Sequence, residues 1–227
     1  MKILSIDTSS NLCAVAVLED TILIKENILD DTKNHSEKIM PVIAQTLKEA
    51  NLELKDIDLI VCDKGPGSFT GIRIGVATVM SFVDSLNLNA IGISSLECLL
   101  YNVLNKTNAS YVCPLIDAKN DNVYFELFEI NNSIPKSIIS ADCKYINDLI
   151  DLLKGYDNIC FVGDGAVAHQ SLLKSALNNV TFADNNHICS YSLGLAGLNA
   201  FNTSRKDDLF PLYLRKSQAE RAKNGEK

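Results

Sequence analysis

Apolar residues occur along this chain in short unbroken runs parted by polar turns, alternating with longer stretches of helical period. KILSID (2–7) and LCAVAVL (12–18) are too short for helices and too uniformly apolar for a surface, so both read as buried strands joined into a hairpin through TSSN. TILIKENIL (21–29) continues the meander. Asn34, His35 and Ser36 supply a helix start, and Ile39, Ile43, Leu47 and Ala50 then recur at helical spacing. DLIVC (58–62) is another buried strand, followed by a glycine-rich loop and a helix from about Gly71 to Leu86. NAIGIS (89–94) reads as a short strand and SLECLLYNVL (95–104) as a helix.

After the polar connector NKTNAS (105–110) the pattern starts again. YVCPLID ends in Asp117 as KILSID ends in Asp7, and in both cases a polar turn leads to an apolar strand closing on a glutamate twelve residues later, Glu129 or Glu19. NICFVGDGA (158–166), with a helical pattern through Leu173, echoes DLIVCDKGPG and its helix. Such repetition predicts a duplicated α/β chain of two lobes, residues 1–104 and 105–227, with the C-terminal segment free to return to the first lobe.

Composition narrows the function. With 47% hydrophobic residues among 227, the chain can build a proper core. Seven cysteines at 13, 62, 98, 113, 143, 160 and 189, with no CxxC pair, fit neither a disulfide framework nor a zinc site and point to a reducing cytoplasm, with Cys62 and Cys160 in core strands. No signal core and no run of about 18 apolar residues is expected, so the chain is read as neither exported nor membrane-spanning. A formal charge of −7, with only a modest basic cluster between Arg215 and Lys227, disfavours avid binding of nucleic acid by this chain alone. The three histidines, His35, His169 and His187, form no HxxxH or HExxH pattern, which argues against a metal site and against metallopeptidase chemistry; His35 reads as a helix-start residue.

The glycine-rich stretch GPGSFTGIRIG (65–75) is the densest motif. It lacks the GK[ST] of a P-loop, and its GxGxxxG spacing is not the dinucleotide GxGxxG. Backbone amides at the helix start, with Ser68, Thr70 and Arg73, would suit a phosphate or a partner's anionic group; alternatively the glycines let the backbone pack closely at a strand-to-helix junction. The helix that follows favours packing. Ile72, Val76, Val79, Val83 and Leu86 form one apolar face, while Ile74, Ala77, Thr78, Ser81 and Ser85 form a small, weakly polar one that would admit a close neighbour. On the preceding helix Ile39, Met40, Val42, Ile43, Ala44, Leu47 and Ala50 cover about half the wheel, more than the roughly 100° stripe one contact needs. Ile39, Met40, Ile43 and Leu47, with Ile74, Ala77, Thr78, Ser81 and Ser85, are therefore the expected partner interface.

IDTSS, NHSEKIMP, GPGSFTGIRIG, ISSLE, PLIDAKNDNVY, GDGA and PLYLR, in that order, resemble the TsaB (YeaZ) family over nearly the whole chain, outside residues 131–158. The resemblance implies the duplicated actin-like, Hsp70 and sugar-kinase (ASKHA) fold, two lobes each with a mixed sheet flanked by helices. It also implies a non-catalytic scaffold acting with TsaD and the ATPase TsaE in threonylcarbamoylation of adenosine 37 of tRNAs reading ANN codons. Partners would be a TsaD-like protein, a TsaE-like ATPase, and a second copy when TsaD is absent, with tRNA met only through the complex and no membrane. No cofactor would be required by this chain, ATP or ADP being expected at most at the complex interface. Asp7, Ser9, Gly65, Gly67, Ser68, Thr70, Arg73, Asp117, Gly163 and Gly165 mark where an actin-like protein would hold a nucleotide or anion. For Asp7 and Asp117 the alternative is that each closes its hairpin by accepting backbone hydrogens, and for GDGA that a β-to-α turn demands the glycines. Lys119 stands where the family more often has Arg, which removes a bidentate anion contact. The alternative function is an actin-fold small-molecule kinase or ATP-binding enzyme acting alone.

Overall fold

A computed structural model describes residues 1–30, 35–205 and 208–216; the side chain of His35 lies outside the described part. In the first half, β1 (Lys2–Asp7), β2 (Leu12–Glu19) and β3 (Ile22–Asp30) form a meander. They are followed by α1 (His35–Glu49), β4 (Leu59–Asp63), α2 (Phe69–Leu86), β5 (Asn89–Ile93) and α3 (Ser95–Tyr101). The second half begins with the meander β6 (Tyr111–Asp117), β7 (Asn122–Asn131) and β8 (Ile134–Tyr145), then α4 (Ile146–Leu153) and β9 (Ile159–Val162). It closes with α5 (Asp164–Ala168), α6 (Gln170–Ala176), β10 (Val180–Phe182) and α7 (Ser190–Asn202).

The strands form two five-stranded sheets whose orders, β3-β2-β1-β4-β5 and β8-β7-β6-β9-β10, are the same topology. In each, the first strand pairs antiparallel with its hairpin mate and parallel with the strand that returns after a helix. The registers differ. Asp7 lies opposite Ala14 but Asp117 opposite Val123, so the second hairpin is one residue tighter, and the equal offsets to Glu19 and Glu129 do not place those glutamates equivalently. The helix expected to run through Leu173 is broken at His169 into α5 and α6. The featureless stretch 131–158 supplies β8 and α4, the latter with a short apolar face of Ile146, Leu149, Ile150 and Leu153.

Two compact units result: Met1–Cys98 with Ile188–Leu212, and Leu99–His187 with Tyr213–Lys227. The division thus falls inside α3, where 104/105 was expected, and the late segment Ile188–Leu212, α7 included, lies with the first sheet. The physical reason is the double burial of β1. Leu4 and Ile6 join the core under α1 and α2 together with Cys13, Val15, Val17 and Ile60. Alternation sends Ile3 and Ser5 to the other face, where both are fully buried, and α7 is the element that covers them. Ser5 donates to the Ser190 carbonyl at 2.6 Å, and α7 lies close because Gly194 meets the Leu18 side chain and Gly197 the Val61 side chain. Glu26 of β3 accepts from Ser190 Oγ and from the Tyr191 amide, so a carboxylate caps the N-terminus of α7.

Helix α2 is 18 residues long with a mean hydropathy of 1.3, enough by length and composition to cross a membrane. Its apolar stripe is nevertheless spent on the sheet, through Ile72, Val76, Val79 and Phe82. Phe82 takes the place foreseen for Leu86, which is 47% exposed just before the left-handed cap at Asn87.

The fit of α7 is testable. A Cβ at Gly197 would stand 2.3 Å from a Val61 methyl and 2.9 Å from its Cβ. Gly197→Ala gains up to about 1 kcal/mol of helix propensity but overpacks a closed contact at about 1–3 kcal/mol. A net loss of stability in urea denaturation is expected, and the double variant Gly197→Ala/Val61→Ala should recover it.

Candidate functional site

Parallel β1 and β4 lie side by side with Ile6 facing Cys62, so the next residues, Asp7 and Asp63, end adjacent strands together. Both are fully buried. Asp7 Oδ1 accepts from the Ser9 amide, and Asp117 Oδ1 accepts from the Lys119 amide, so each aspartate closes the hairpin turn that follows it. Asp63 Oδ1 accepts from the Gly65 amide and from Ser95 Oγ, both at 2.7 Å, and Ser95 Oγ reaches Ser9 Oγ at 3.3 Å. Asp63 and Ser95 are site residues that the sequence reading passed over. The available signal was that DLIVCD, like KILSID, closes its strand on an aspartate.

The glycine loop lies directly on the turn after β1. The Ser68 amide donates to the Ser9 carbonyl at 2.6 Å and Thr8 Oγ1 donates to the Gly71 carbonyl at 2.7 Å. A Cβ at Gly67 would stand 2.2 Å from the Ser9 carbonyl oxygen, at Gly71 1.9 Å from that of Thr8, and at Gly75 2.5 Å from Thr8 Oγ1. These glycines therefore admit the chain's own Thr8–Ser9 backbone. Gly65 has φ +98° and lies against Leu212, whose amide donates to the Lys64 carbonyl. Ser68 caps α2 by accepting from the Gly71 amide, Thr70 is exposed, and the Arg73 guanidinium stacks 3.9 Å over the Phe69 ring of its own helix.

Burial and the neighbouring Asp7 charge push the Asp63 carboxyl well above the usual carboxylate range, more than hydrogen bonds from Ser95, Gly65 and Ser9 draw it down. The Asp63 carboxyl therefore keeps its proton to higher pH than an ordinary aspartate. The thiols of Cys62 and Cys98 are raised by burial first and then by these same carboxyls.

In the second unit the corresponding place is different. Position 163, one past β9, is Gly163 with φ +114°, where a Cβ would stand 2.1 Å from the Leu115 carbonyl oxygen. Gly165 is similarly close to the Ile116 and Leu115 backbone, and Asp164 Oδ1 accepts from the Asp117 amide. GDGA thereby fastens the start of α5 onto the end of β6. Asp117 is partly exposed and ion-paired with Lys119 at 2.7 Å. Burial alone would raise its pKa, but the Lys119 ammonium and amide outweigh it and hold the carboxyl low.

The expected partner face divides in two. Ile39, Ile43 and Leu47 are 2%, 2% and 6% exposed and belong to the core of their own unit, which corrects their assignment to the interface. The wide apolar arc of α1 is consumed internally because α1 touches β2, β3 and α2 at once. What remains outward on α1 includes Met40, Pro41 and Ala44 among the polar Glu37, Lys38, Gln45, Lys48 and Glu49; on α2 it includes Ala77, Met80, Ser81 and Ser85 beside Arg73 and Asp84, flanked by half-buried Ile74 and Thr78. Thr78 Oγ1 donates to the Ile74 carbonyl and Ser81 Oγ to that of Thr78, so these two hydroxyls are satisfied within the helix beside Ala77.

A doubled β-meander with a parallel crossover, and loops gathered at the strand ends, define the actin-like, ASKHA class of proteins. The inorganic polyphosphate/ATP-glucomannokinase of Arthrobacter sp. strain KM shares the fold at a TM-score of 0.55 and 6% identity, over 89% of this chain and 99% of that one. A family model described as TsaD, tRNA N6-adenosine threonylcarbamoyltransferase, matches residues 23–223. The tRNA threonylcarbamoyladenosine biosynthesis protein TsaB of Bacillus subtilis (strain 168) is 31% identical over 183 residues, 80% of this chain and 79% of that protein. YeaZ from Pseudomonas aeruginosa superposes with a TM-score of 0.77 at 23% identity, covering 94% and 99% of the two chains. The chain belongs to the TsaB (YeaZ) family.

Two outcomes follow from this geometry. Gly71→Ala drives a Cβ into the Thr8 carbonyl, which cannot turn aside, and should lower stability by about 2 kcal/mol or more in chemical denaturation. Asp63 keeps its proton after the unfolded chain has released its own near pH ~3.9. Its contribution therefore favours folding at low pH and is lost as pH rises toward the folded-state pKa, by up to about 1.4 kcal/mol per pH unit. Asp63→Asn preserves the Oδ1 acceptor and should flatten that slope, giving a variant that gains on the wild type from about pH 4 upward; parallel slopes in denaturation across this range would refute the raised Asp63 pKa.

Proposed function

We propose that this chain is a non-catalytic subunit of the cytoplasmic machinery that makes threonylcarbamoyladenosine at position 37 of tRNAs reading ANN codons. In this reading it docks on a TsaD-like transferase through the outer surface of α1 and α2, works with a TsaE-like ATPase, and meets tRNA only within the complex. It pairs with a second copy when the transferase is absent. The observation that carries the reading is the filled loop: the place where an actin-like enzyme would seat an anion against the first hairpin is occupied by the bond from Ser68 N to Ser9 O and by the contact of Gly71 with Thr8. The names of the sequence relatives support the pathway, and the outward small and apolar residues Met40, Ala44, Ala77 and Met80 on α1 and α2 support a docking role. No cofactor is required by this chain; ATP or ADP belongs to the assembled complex.

A second reading, a small-molecule kinase acting alone, draws on the kinase fold relative and on the two carboxyls at the ends of β1 and β4. Its test is direct: turnover of ATP by the purified chain, without partners, would establish it.

The docking surface makes a sharper prediction. Ala77 and Ser81 are exposed on α2 and point away from Val76 and Val79. Ala77→Arg and Ser81→Arg should leave circular dichroism unchanged yet weaken co-elution with the TsaD-like protein at least a hundredfold, because a desolvated, unpaired cation costs on the order of 3–5 kcal/mol. Val79→Arg, placed in the core, should unfold the chain. Folded arginine variants that still co-elute at wild-type strength would move the interface elsewhere.

A further inference from the structure

The chain has three methionines, and the two internal ones, Met40 and Met80, both stand on the outward surface of the α1/α2 layer, 49% and 41% exposed. Met40 follows core residue Ile39 and lies one turn before Ala44, on the part of α1 left outward once its core face is spent; Met80 lies one turn beyond Ala77. Five of the seven cysteines are disposed the opposite way, while Cys143 and Cys189 are partly exposed. Cys13, Cys62, Cys98, Cys113 and Cys160 are buried. Burial pushes the thiols of Cys13, Cys62, Cys98 and Cys113 up, Cys13 to about 11, so these sulfurs stay protonated and shielded from oxidants. The sulfur left open to a peroxide on the surface of α1 and α2 is therefore thioether.

We infer that Met40 and Met80 are oxidation sites that switch the docking surface off, a regulation that rests on the docking role proposed above. Hydrogen peroxide transfers one oxygen atom to the thioether sulfur, giving methionine sulfoxide and water; the sulfur is oxidised by two electrons and the peroxide O–O bond breaks. The product carries a strongly accepting S=O group at the position of a flexible apolar side chain. In solution that oxygen is hydrated, so the free chain keeps its fold. Buried without a donor under a partner helix, each sulfoxide should cost roughly tenfold in affinity. A methionine sulfoxide reductase, oxidising two thiols to a disulfide and releasing the oxygen as water, returns the thioether and with it the surface.

The test treats the isolated full chain with hydrogen peroxide, locates added oxygen by peptide mass mapping, and measures binding to the TsaD-like protein before and after. The expected result is one oxygen on each of Met40 and Met80, the five buried cysteines unmodified, an unchanged circular dichroism spectrum, and binding weakened at least tenfold and restored by the reductase. Met40→Leu/Met80→Leu, whatever its starting affinity, should show no change on peroxide treatment. Binding that survives full oxidation of both methionines, or a loss that persists in the leucine variant, overturns the inference while leaving the docking role intact. Failure of the untreated wild-type chain to bind at all would remove the docking role and the inference with it.

Discussion

The contact on which the rest of the first unit depends is the close approach of the Thr8–Ser9 turn to the glycine loop before α2. Three glycines permit it, at 67, 71 and 75, because any side chain there would meet backbone or hydroxyl oxygen well inside contact distance. The bonds from Ser68 N to Ser9 O and from Thr8 Oγ1 to Gly71 O then fix the first turn of α2 over the ends of β1 and β4. From this placement follow the burial of Ile72, Val76 and Val79 on the sheet and the outward orientation of Ala77 and Ser81. Beside it Asp7 and Asp63 are fully buried, and burial with the Asp7 charge raises the Asp63 carboxyl. Packing and electrostatics meet at this point, because two buried carboxyls side by side disfavour a second charge.

Duplication shows what has been kept and what has diverged. Both sheets retain the order of strands and the aspartate that closes the first hairpin, Asp7 or Asp117, with the same backbone bond two residues on. In the second unit β9 ends beside Pro114, three residues short of Asp117, and leaves the sheet through Gly163 at positive φ, so no residue of β9 stands beside Asp117, which is ion-paired near the surface. One lobe thus carries a buried acid pair and the helix surface offered for docking, while the other carries a compact β-to-α turn. Helix α7 adds a further asymmetry, since it lies late in the chain yet shields the second face of the first sheet.

The sequence by itself determined a good deal. Strict apolar runs bounded by polar turns placed most strands of both halves, the recurrence of KILSID and YVCPLID disclosed the duplication, and helical spacing located α1 and α2. Ordered motifs from IDTSS to PLYLR led to the family that the comparisons establish. These features are legible because strand and helix periods, and the glycines of tight junctions, are written locally.

Tertiary structure alone decided the rest, wherever a residue's role depends on what a distant segment covers. The apolar arc of α1 is wide in sequence, but whether Ile39, Ile43 and Leu47 face a partner or their own core is settled only by α1 bridging β2, β3 and α2. The small-residue pattern of α7 lacks a strong amphipathic stripe because Gly194 and Gly197 serve close contact with Leu18 and Val61, and it passed unnoticed. Asp63 looked like the first residue of a loop; parallel register with β1 is what sets it beside Asp7, and burial beside that carboxyl is what raises its pKa. Periodicity records which side of an element is apolar, while the free energy of a buried charge depends on every atom that displaces water around it, and those atoms come from segments far apart along the chain.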